Sequence, residues 1–486
     1  MNDKVYLQIN PNADYPHKSF NPSELYPEYL FGQDFVQTER NEIYDMIRNC
    51  LIGYGLDAEN FGSREWNPLG KFIQPGQQVL IKPNWVMHFN GSGNYDNSME
   101  CLVTHPSCLR AICDYCLIAL KGSGKVIIGD APMQDCDLPV LLEKAKFNDI
   151  LRFYQERGEN VVFMDFRKYQ SVFNVNKVIV DRIYQSGEEI NIDFSGLSIH
   201  EKREGSRVYQ VDNYDRNETG KYHGDKKHIY SVNRDVINSD VIINFCKPKS
   251  HRLAGFTAAM KNMIGIIYSK ASLPHRVEGS IEEGGDAYKY SSSLKKKIDA
   301  VLDRKIIHED SHKIFLATID RFIYGALLIL ARKICRDPYI KGIWYGNDTI
   351  WRTVVDLNYI EKFADKNGKI QGTPQRNILN FADMIIAGEH NGPCQPEPKQ
   401  LGVIAMSESA AAMDLAICKM IGFPEEKIPL INALLKGEAD YLLGEIDREK
   451  IIIASNQSSE QRSLSSVNFP DSWHYRPHDT WKSIKS

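Results

Sequence analysis

Five residues, Val241-Ile242-Ile243-Asn244-Phe245, bounded by Asp240, constrain the fold more than any other stretch of the chain. The run is short and rich in β-branched side chains, so it reads as a buried strand of an α/β sheet. Lys247-Pro248-Lys249-Ser250-His251 follow directly, and the segment from 253 to 267 then reads as a helix, with Phe256, Met260, Met263 and Ile264 at near-helical spacing. The polar group therefore lies just beyond a strand's carboxyl end, where open α/β sheets bind ligands. Thr257, Lys261 and Asn262 are close enough in sequence to share that crevice. Solvated loops are often polar without any function. Lys247, Lys249 and Lys261 with Asn262 and Thr257 inside sixteen residues nevertheless point to a site.

The rest of the chain repeats this strand–helix rhythm. Strands are expected at Gln78–Lys82, 125–129, 160–166, 241–245, 384–387, 403–406 and 451–454. Helices are expected at Pro106–Leu120, 138–157 and 409–421, the first opened by a proline suited to a first helical turn. Such alternation predicts an α/β fold: an open, mainly parallel sheet with helices on both faces. Residues 1–70 read as an irregular cover, 71–270 as the core with a β-containing insertion at about 170–233, and 271–375 as a mainly helical insertion. Residues 376–460 return to the core, and 461–486 form an irregular tail.

Composition narrows the function. The 486 residues are 42% hydrophobic and 25% charged, as in ordinary soluble proteins. A net charge of −4, from 59 basic and 63 acidic residues, argues against general nucleic-acid binding. The N-terminus lacks the pattern of a signal peptide, and ten cysteines without a compact framework fit reduced thiols, so a cytoplasmic location is expected. The apolar stretch 322–331, flanked by Arg321, Arg332 and Lys333, is shorter than the ~20 residues that cross a bilayer. A buried helix is the leading reading, and peripheral membrane contact through 322–331 is the alternative.

Other polar groups follow other strands. Lys82-Pro83-Asn84 ends one, placing a cation and an amide beside a chain direction fixed by proline. Thr104-His105 precedes a helix: Thr104 is read first as its cap, and His105 as an imidazole held neutral by the helix dipole. Asp130 closes a strand, where it could hold a metal, pair with lysine, act as a base or simply form an Asx turn. Residues 388–393, Gly-Glu-His-Asn-Gly-Pro, read as a glycine-flanked loop after a strand that Asp383 begins, and Asp414 faces either sheet or water. Cys108, Cys113 and Cys116 have the spacing of plant-type iron–sulfur ligands, with Cys136 as a conceivable fourth. They fall within one continuous helix, which cannot wrap around a cluster, so no iron–sulfur cluster is expected.

Taken in order, Lys82–Asn84, Thr104–Pro106, Gly129-Asp130, Lys249–His251 with Thr257, Lys261-Asn262 with Gly265, and Asp383 with Gly392-Pro393 resemble a widespread prokaryotic family, domain of unknown function 362. Asp414 and Gly422 extend the likeness, which spans about 77–455. The resemblance implies a shared α/β core and polar site without a defined reaction. Longer members with similar insertions are linked to polysaccharide or secondary-metabolite gene clusters. The C-x₂-C-x₂-C motifs that follow the domain in some members are absent here.

The functional expectation is an enzyme acting on a small anionic metabolite. Lys249, Lys261 and His251 are the candidate catalytic residues, with His251 as general acid/base. Lys82, Asn84, Thr104, His105, Ser250, Thr257, Asn262 and Gly392 would bind substrate, and Asp130, Asp383 and Glu389 could hold Mg²⁺ or another divalent cation. Group transfer, including phosphoryl transfer, is the leading class, and acid–base isomerisation or epimerisation follows it. A non-catalytic anion-binding or membrane-peripheral assembly protein is the rival. Convergence of Lys82, His251 and Lys261 on one closed pocket would favour catalysis. Substrate identity and oligomeric state do not follow from the sequence.

Overall fold

The computed structural model describes residues 3–92, 98–335, 337 and 339–484, so residues 1, 2, 485 and 486 of the expected cover and tail lie outside the described residues. Its centre is an eleven-stranded mixed sheet. In chain order the strands are β1 (Lys4–Ile9), β2 (Gln78–Lys82), β3 (Lys125–Asp130), β4 (Val161–Asp165), β5 (Val241–Cys246), β6 (Lys249–His251), β7 (Gly255–Thr257), β8 (Asn377–Asn391), β9 (Gln395–Ser407), β10 (Ile452–Ser455) and β11 (Ser458–Ser463). Across the sheet the order is β11-β10-β1-β9-β8-β5-β2-β3-β4, with the β6–β7 hairpin attached at β8. Strands β8, β5, β2, β3 and β4 run parallel, and β9 returns antiparallel to β8.

Alternation along each strand builds two core layers. Val79, Ile81, Val126, Ile128, Val241 and Ile243 face one side, packed with residues of helices α1 (Glu42–Tyr54) and α2 (Pro106–Leu120). Leu80, Ile127 and Ile242 face the other, with residues of α3 (Ala259–Asn262), α6 (Ile350–Phe363) and α7 (Ala410–Met420). A strand buried on both faces needs near-continuous apolar sequence, which explains the run at 241–245. The expected fold class is therefore observed.

Several element expectations need correction. The N-terminal stretch is not all irregular, because β1 lies inside the sheet and α1 covers it. Its existence depends on β9 and β10, about 400 residues away, and local periodicity could not reveal such pairing. The expected helix at 253–267 is instead the β6–β7 hairpin followed by the short α3 and a 3₁₀ turn, Met263–Ile266. Glu389, His390 and Asn391 belong to β8, so the expected loop is the tip of the β8–β9 hairpin, and Asp383 lies in mid-strand. The last residues carry β11 and then place Tyr475, Trp481 and Ile484 in the core.

The first insertion holds two antiparallel strand pairs, the hairpin Tyr169–Phe173 with Ile179–Tyr184, and Glu189–Asp193 with Ile229–Asn233. The second contains α4 (Ser293–Asp310), α5 (Ile314–Ile334) and α6. The stretch 322–331 falls within α5, and burial there is contradicted: only Ala317, Asp320 and Ala331 of the helix are buried. Its 21 residues are long and apolar enough to cross a membrane by length and composition.

Candidate functional site

The chain leaves β2, crosses through α2 to β3 on one side, and later places β5 on the other side of β2. The carboxyl ends of β2 and β5 thus flank a point where strand order reverses, the usual position of a ligand crevice in open α/β sheets. A cavity of about 220 Å³ lies there. Its wall includes Asn84 after β2, Asp130 at the end of β3, and Lys249, His251, Thr257, Lys261 and Asn262 from the segment after β5. Residues 211–214 of the first insertion and Ile350 of the second close it.

A relay of side-chain amides fixes the floor. Lys249 Nζ donates to Asn84 Oδ1, and Asn84 Nδ2 donates to Asn262 Oδ1 at 2.8 Å. Asn262 Nδ2 donates to Asn244 Oδ1, and Asn244 Nδ2 to Asn380 Oδ1, each at 2.8 Å. Each amide is locked in one orientation because its oxygen accepts from the preceding donor. Thr104 Oγ1 accepts from the Asn84 amide at 2.8 Å and donates to the Phe245 carbonyl, stitching the β2 exit to β5. Thr104 therefore does not cap α2; His105 does, its Nδ1 accepting from Ser107 N–H.

Four cations line the cavity: Lys249, Arg252, Lys261 and Lys270. Lys249 and Lys270 donate to neutral oxygens, of Asn84 and Ala131 respectively. Burial disfavours the charged form, and Lys247 adds repulsion at Lys249, bringing its ammonium down to about 7. Lys261 is also brought to about 7, by burial first and then by Lys270 and Arg252, while burial brings Lys270 to about 8. Thr257 Oγ1 is buried without a hydrogen-bond partner among the described residues.

The two histidines of the wall differ in tautomer. His251 Nδ1 accepts from the Leu253 and Ala254 amides at 3.0 and 3.3 Å, so the neutral ring carries its proton on Nε2. Burial holds His251 well below its ordinary range, followed in effect by Lys261 and Arg252. The lowered ring is held in its neutral form, with its Nε2–H as the available donor. His275 Nδ1 lies 2.8 Å from the Leu273 carbonyl, so it carries the proton there and leaves Nε2 as acceptor; burial lowers this ring to about 4.

The remaining expected site residues stand behind the wall. Lys82 is fully buried and binds Asp130 at 2.8 Å and the Pro83 carbonyl at 2.9 Å. Asp130 also accepts from the Trp85 and Ala131 amides, so it anchors the β2 exit loop. This pair sits under Gly265, where a Cβ would lie 1.8 Å from Asp130 Oδ1. Asp383 is bound by Lys247 at 3.0 Å, by Tyr15 OH and by the His105 amide, and His105 stacks on Tyr15 with centroids 3.8 Å apart. Glu389 binds Arg476 at 2.8 Å, and Ser250 Oγ donates to the Arg476 carbonyl. Gly392 packs where a Cβ would meet the Ser250 carbonyl at 1.9 Å.

Lys82, Thr104, His105, Ser250, Gly392, Asp383 and Glu389 are thus scaffold and not cavity wall. Asp130, Asp383 and Glu389 are each committed to a different cation, and no group of three metal-ligating side chains forms among the described residues. Asp414 faces the sheet side and accepts from the Met260 amide at 3.3 Å, while burial pushes its carboxyl up to about 8. Sequence reasoning missed Arg252, Lys270, His275, Asn244 and Asn380. Asn244 alone gave a signal, as the polar residue within the apolar run.

The family model for a domain of unknown function, DUF362, matches residues 79–194 and 178–419. The chain belongs to this family. The matched span contains every cavity residue named above, so in this DUF362 member the site lies within the shared domain and the tail that braces it lies outside. Comparison with curated proteins finds no match.

Proposed function

We propose that the protein is an enzyme that moves a proton on a small carboxylate- or phosphate-bearing metabolite. The reading rests on one observation: Lys249 and Lys261, both titrating at about 7, line one cavity beside the Nε2–H of a neutral His251. Near neutrality, the charge of Lys261 disfavours that of Lys249. One is then a free amine able to take a proton, and the other an ammonium able to return one. Arg252 and Lys270 hold the substrate anion, and His251 Nε2–H donates to the oxygen on which negative charge develops. The volume of about 220 Å³ suits a metabolite smaller than the ligands of drug-sized pockets, which span ~300–1,000 Å³.

Group transfer is the second reading, favoured by the same four cations, which suit a phosphoryl group. It ranks lower because the carboxylates expected to carry a hard cation are each neutralised by a lysine or arginine.

The test begins with a mass spectrum of small anions retained by the purified protein. The retained compound is then incubated with enzyme in D₂O. Deuterium entry at carbon that is lost in Lys249→Met and Lys261→Met supports proton transfer. Transfer of a group without such exchange supports the second reading. If no carboxylate or phosphate compound binds, or if both variants bind and turn over like wild type, the proposal fails.

A further inference from the structure

Helix α5 has an inward face and an exposed apolar one. Ala317, Asp320 and Ala331 turn inward in a hairpin with α4, joined by residues 311–313. Phe315, Leu316, Ile319, Phe322, Ile323, Ile329, Leu330 and Ile334 are exposed, Phe315 at 77% and Phe322 and Ile334 at 65%. Their spacing of three, four and seven residues lays them along one stripe. Isolated exposed apolar residues are ordinary, but a continuous stripe of this size on a soluble protein marks an interaction surface.

Charge indicates the occupant. Lys313 and, at the other end, Arg332 and Lys333 are exposed, with Arg321 at the middle. The helix contains one acid, Asp320, which is buried and bound by Arg304 and His308. A second copy pairing antiparallel would set Lys313 against Arg332 and Lys333 and bring two Arg321 side chains together, with no acid of α5 to neutralise them. A surface bearing phosphates above hydrocarbon satisfies both halves of the pattern. Spanning is disfavoured by packing, because α5 is paired along α4, whose Lys295, Arg304, Lys305 and Glu309 would have to enter the bilayer with it.

We propose that α5 lies in the plane of an anionic lipid membrane, its exposed stripe among the acyl chains and its cations among the headgroup phosphates. The C-terminal end of the helix shares a second cavity with Arg252, through Leu328, Ala331 and Arg332, so docking brings the lipid surface next to the candidate site. The inference is independent of the proton-transfer reading.

The experiment is flotation of the full-length protein with vesicles of phosphatidylcholine, with and without phosphatidylglycerol. Wild type floats with the mixed vesicles. The variant carrying Phe315→Glu, Phe322→Glu and Ile329→Glu loses binding by roughly tenfold or more, because three exposed anchors are removed at once. Arg332→Glu with Lys333→Glu removes the preference for phosphatidylglycerol. Val175→Glu, at an exposed position of the first insertion, floats like wild type, and unchanged thermal unfolding of all variants shows intact folds. Wild type left unbound by both vesicle types overturns the proposal. So does a concentration-dependent dimer, seen by light scattering, that Phe322→Glu abolishes, since a second copy would then cover the stripe.

Discussion

A buried lysine that titrates near neutrality binds anions only while protonated, so the cavity's affinity should follow pH in a defined direction. Lys249 and Lys261 at about 7 and Lys270 at about 8 all carry charge at about pH 6 and little at about pH 9. Sulfate, whose own charge is constant over that interval, should raise the melting temperature strongly at the acidic end and hardly at all at the alkaline end. The sign for the empty protein is opposite. These folded values lie below the ordinary 10.5, so the unfolded chain binds more protons above about pH 7, and the lysines' contribution to stability rises with pH. A sulfate shift independent of pH would contradict the assignment. Lys261→Met should weaken sulfate binding by roughly 10- to 100-fold in titration calorimetry at about pH 6, the loss of one charge-assisted contact. At this scale the sequence was informative about Asn84, Lys249, His251, Thr257, Lys261 and Asn262, because the short segments after β2 and β5 carry them to one crevice. It was not informative about Lys270 and His275, whose arrival depends on how the insertions close over the sheet. Nor could it separate Lys249 from Lys82 or Lys247: the latter two meet carboxylates 48 and 136 residues away, a pairing that no local pattern encodes.

Elements are held by buried pairs that tolerate little change. Lys247 and Asp383 are both fully buried and join the β5 exit to the middle of β8. Asp383→Ala leaves an ammonium without its partner in the core, and such breakage costs about 3–5 kcal/mol. Urea unfolding should show that loss, and a change below about 1 kcal/mol would mean that Lys247 finds another partner or sheds its proton. Gly265 has a narrower role, as the contact between the 3₁₀ turn after α3 and the Lys82–Asp130 pair. Gly265→Ala should destabilise by about 1–3 kcal/mol through overpacking and release the β2 exit loop. Urea unfolding and the position of the Trp85 amide resonance, whose N–H donates to Asp130 at 2.6 Å, would test both consequences. The parallel strands were legible because burial on both faces demands unbroken apolar runs. Three elements were not: β1 is specified by partners at the far end of the chain, the β6–β7 hairpin has helix-like spacing of Phe256 and Met260, and α5 has the composition of a buried helix while presenting its apolar stripe outward.

At the scale of the molecule, the site is assembled from the matched domain and braced by the segment beyond it. The Arg476 amide and guanidinium bind Glu389 at 2.8 Å, the Arg476 carbonyl accepts from Ser250, and Trp481 Nε1 donates to the Arg252 carbonyl at 2.8 Å. Trp481 is fully buried and lies against Gly255, whose φ of +81° opens β7. The β6–β7 hairpin is only three residues long on each side, too little to hold itself in water. It therefore owes its position to β8 on one flank and to this tail on the other. Deleting residues from 471 onward should leave the sheet folded while loosening residues 249–257. Hydrogen exchange should accelerate at those backbone amides and remain slow in β2, β3 and β5, and sulfate binding should weaken with it. Uniform acceleration across the sheet would show that the tail supports the whole fold. Unchanged protection at 249–257 would show that β8 alone positions Lys249 and His251.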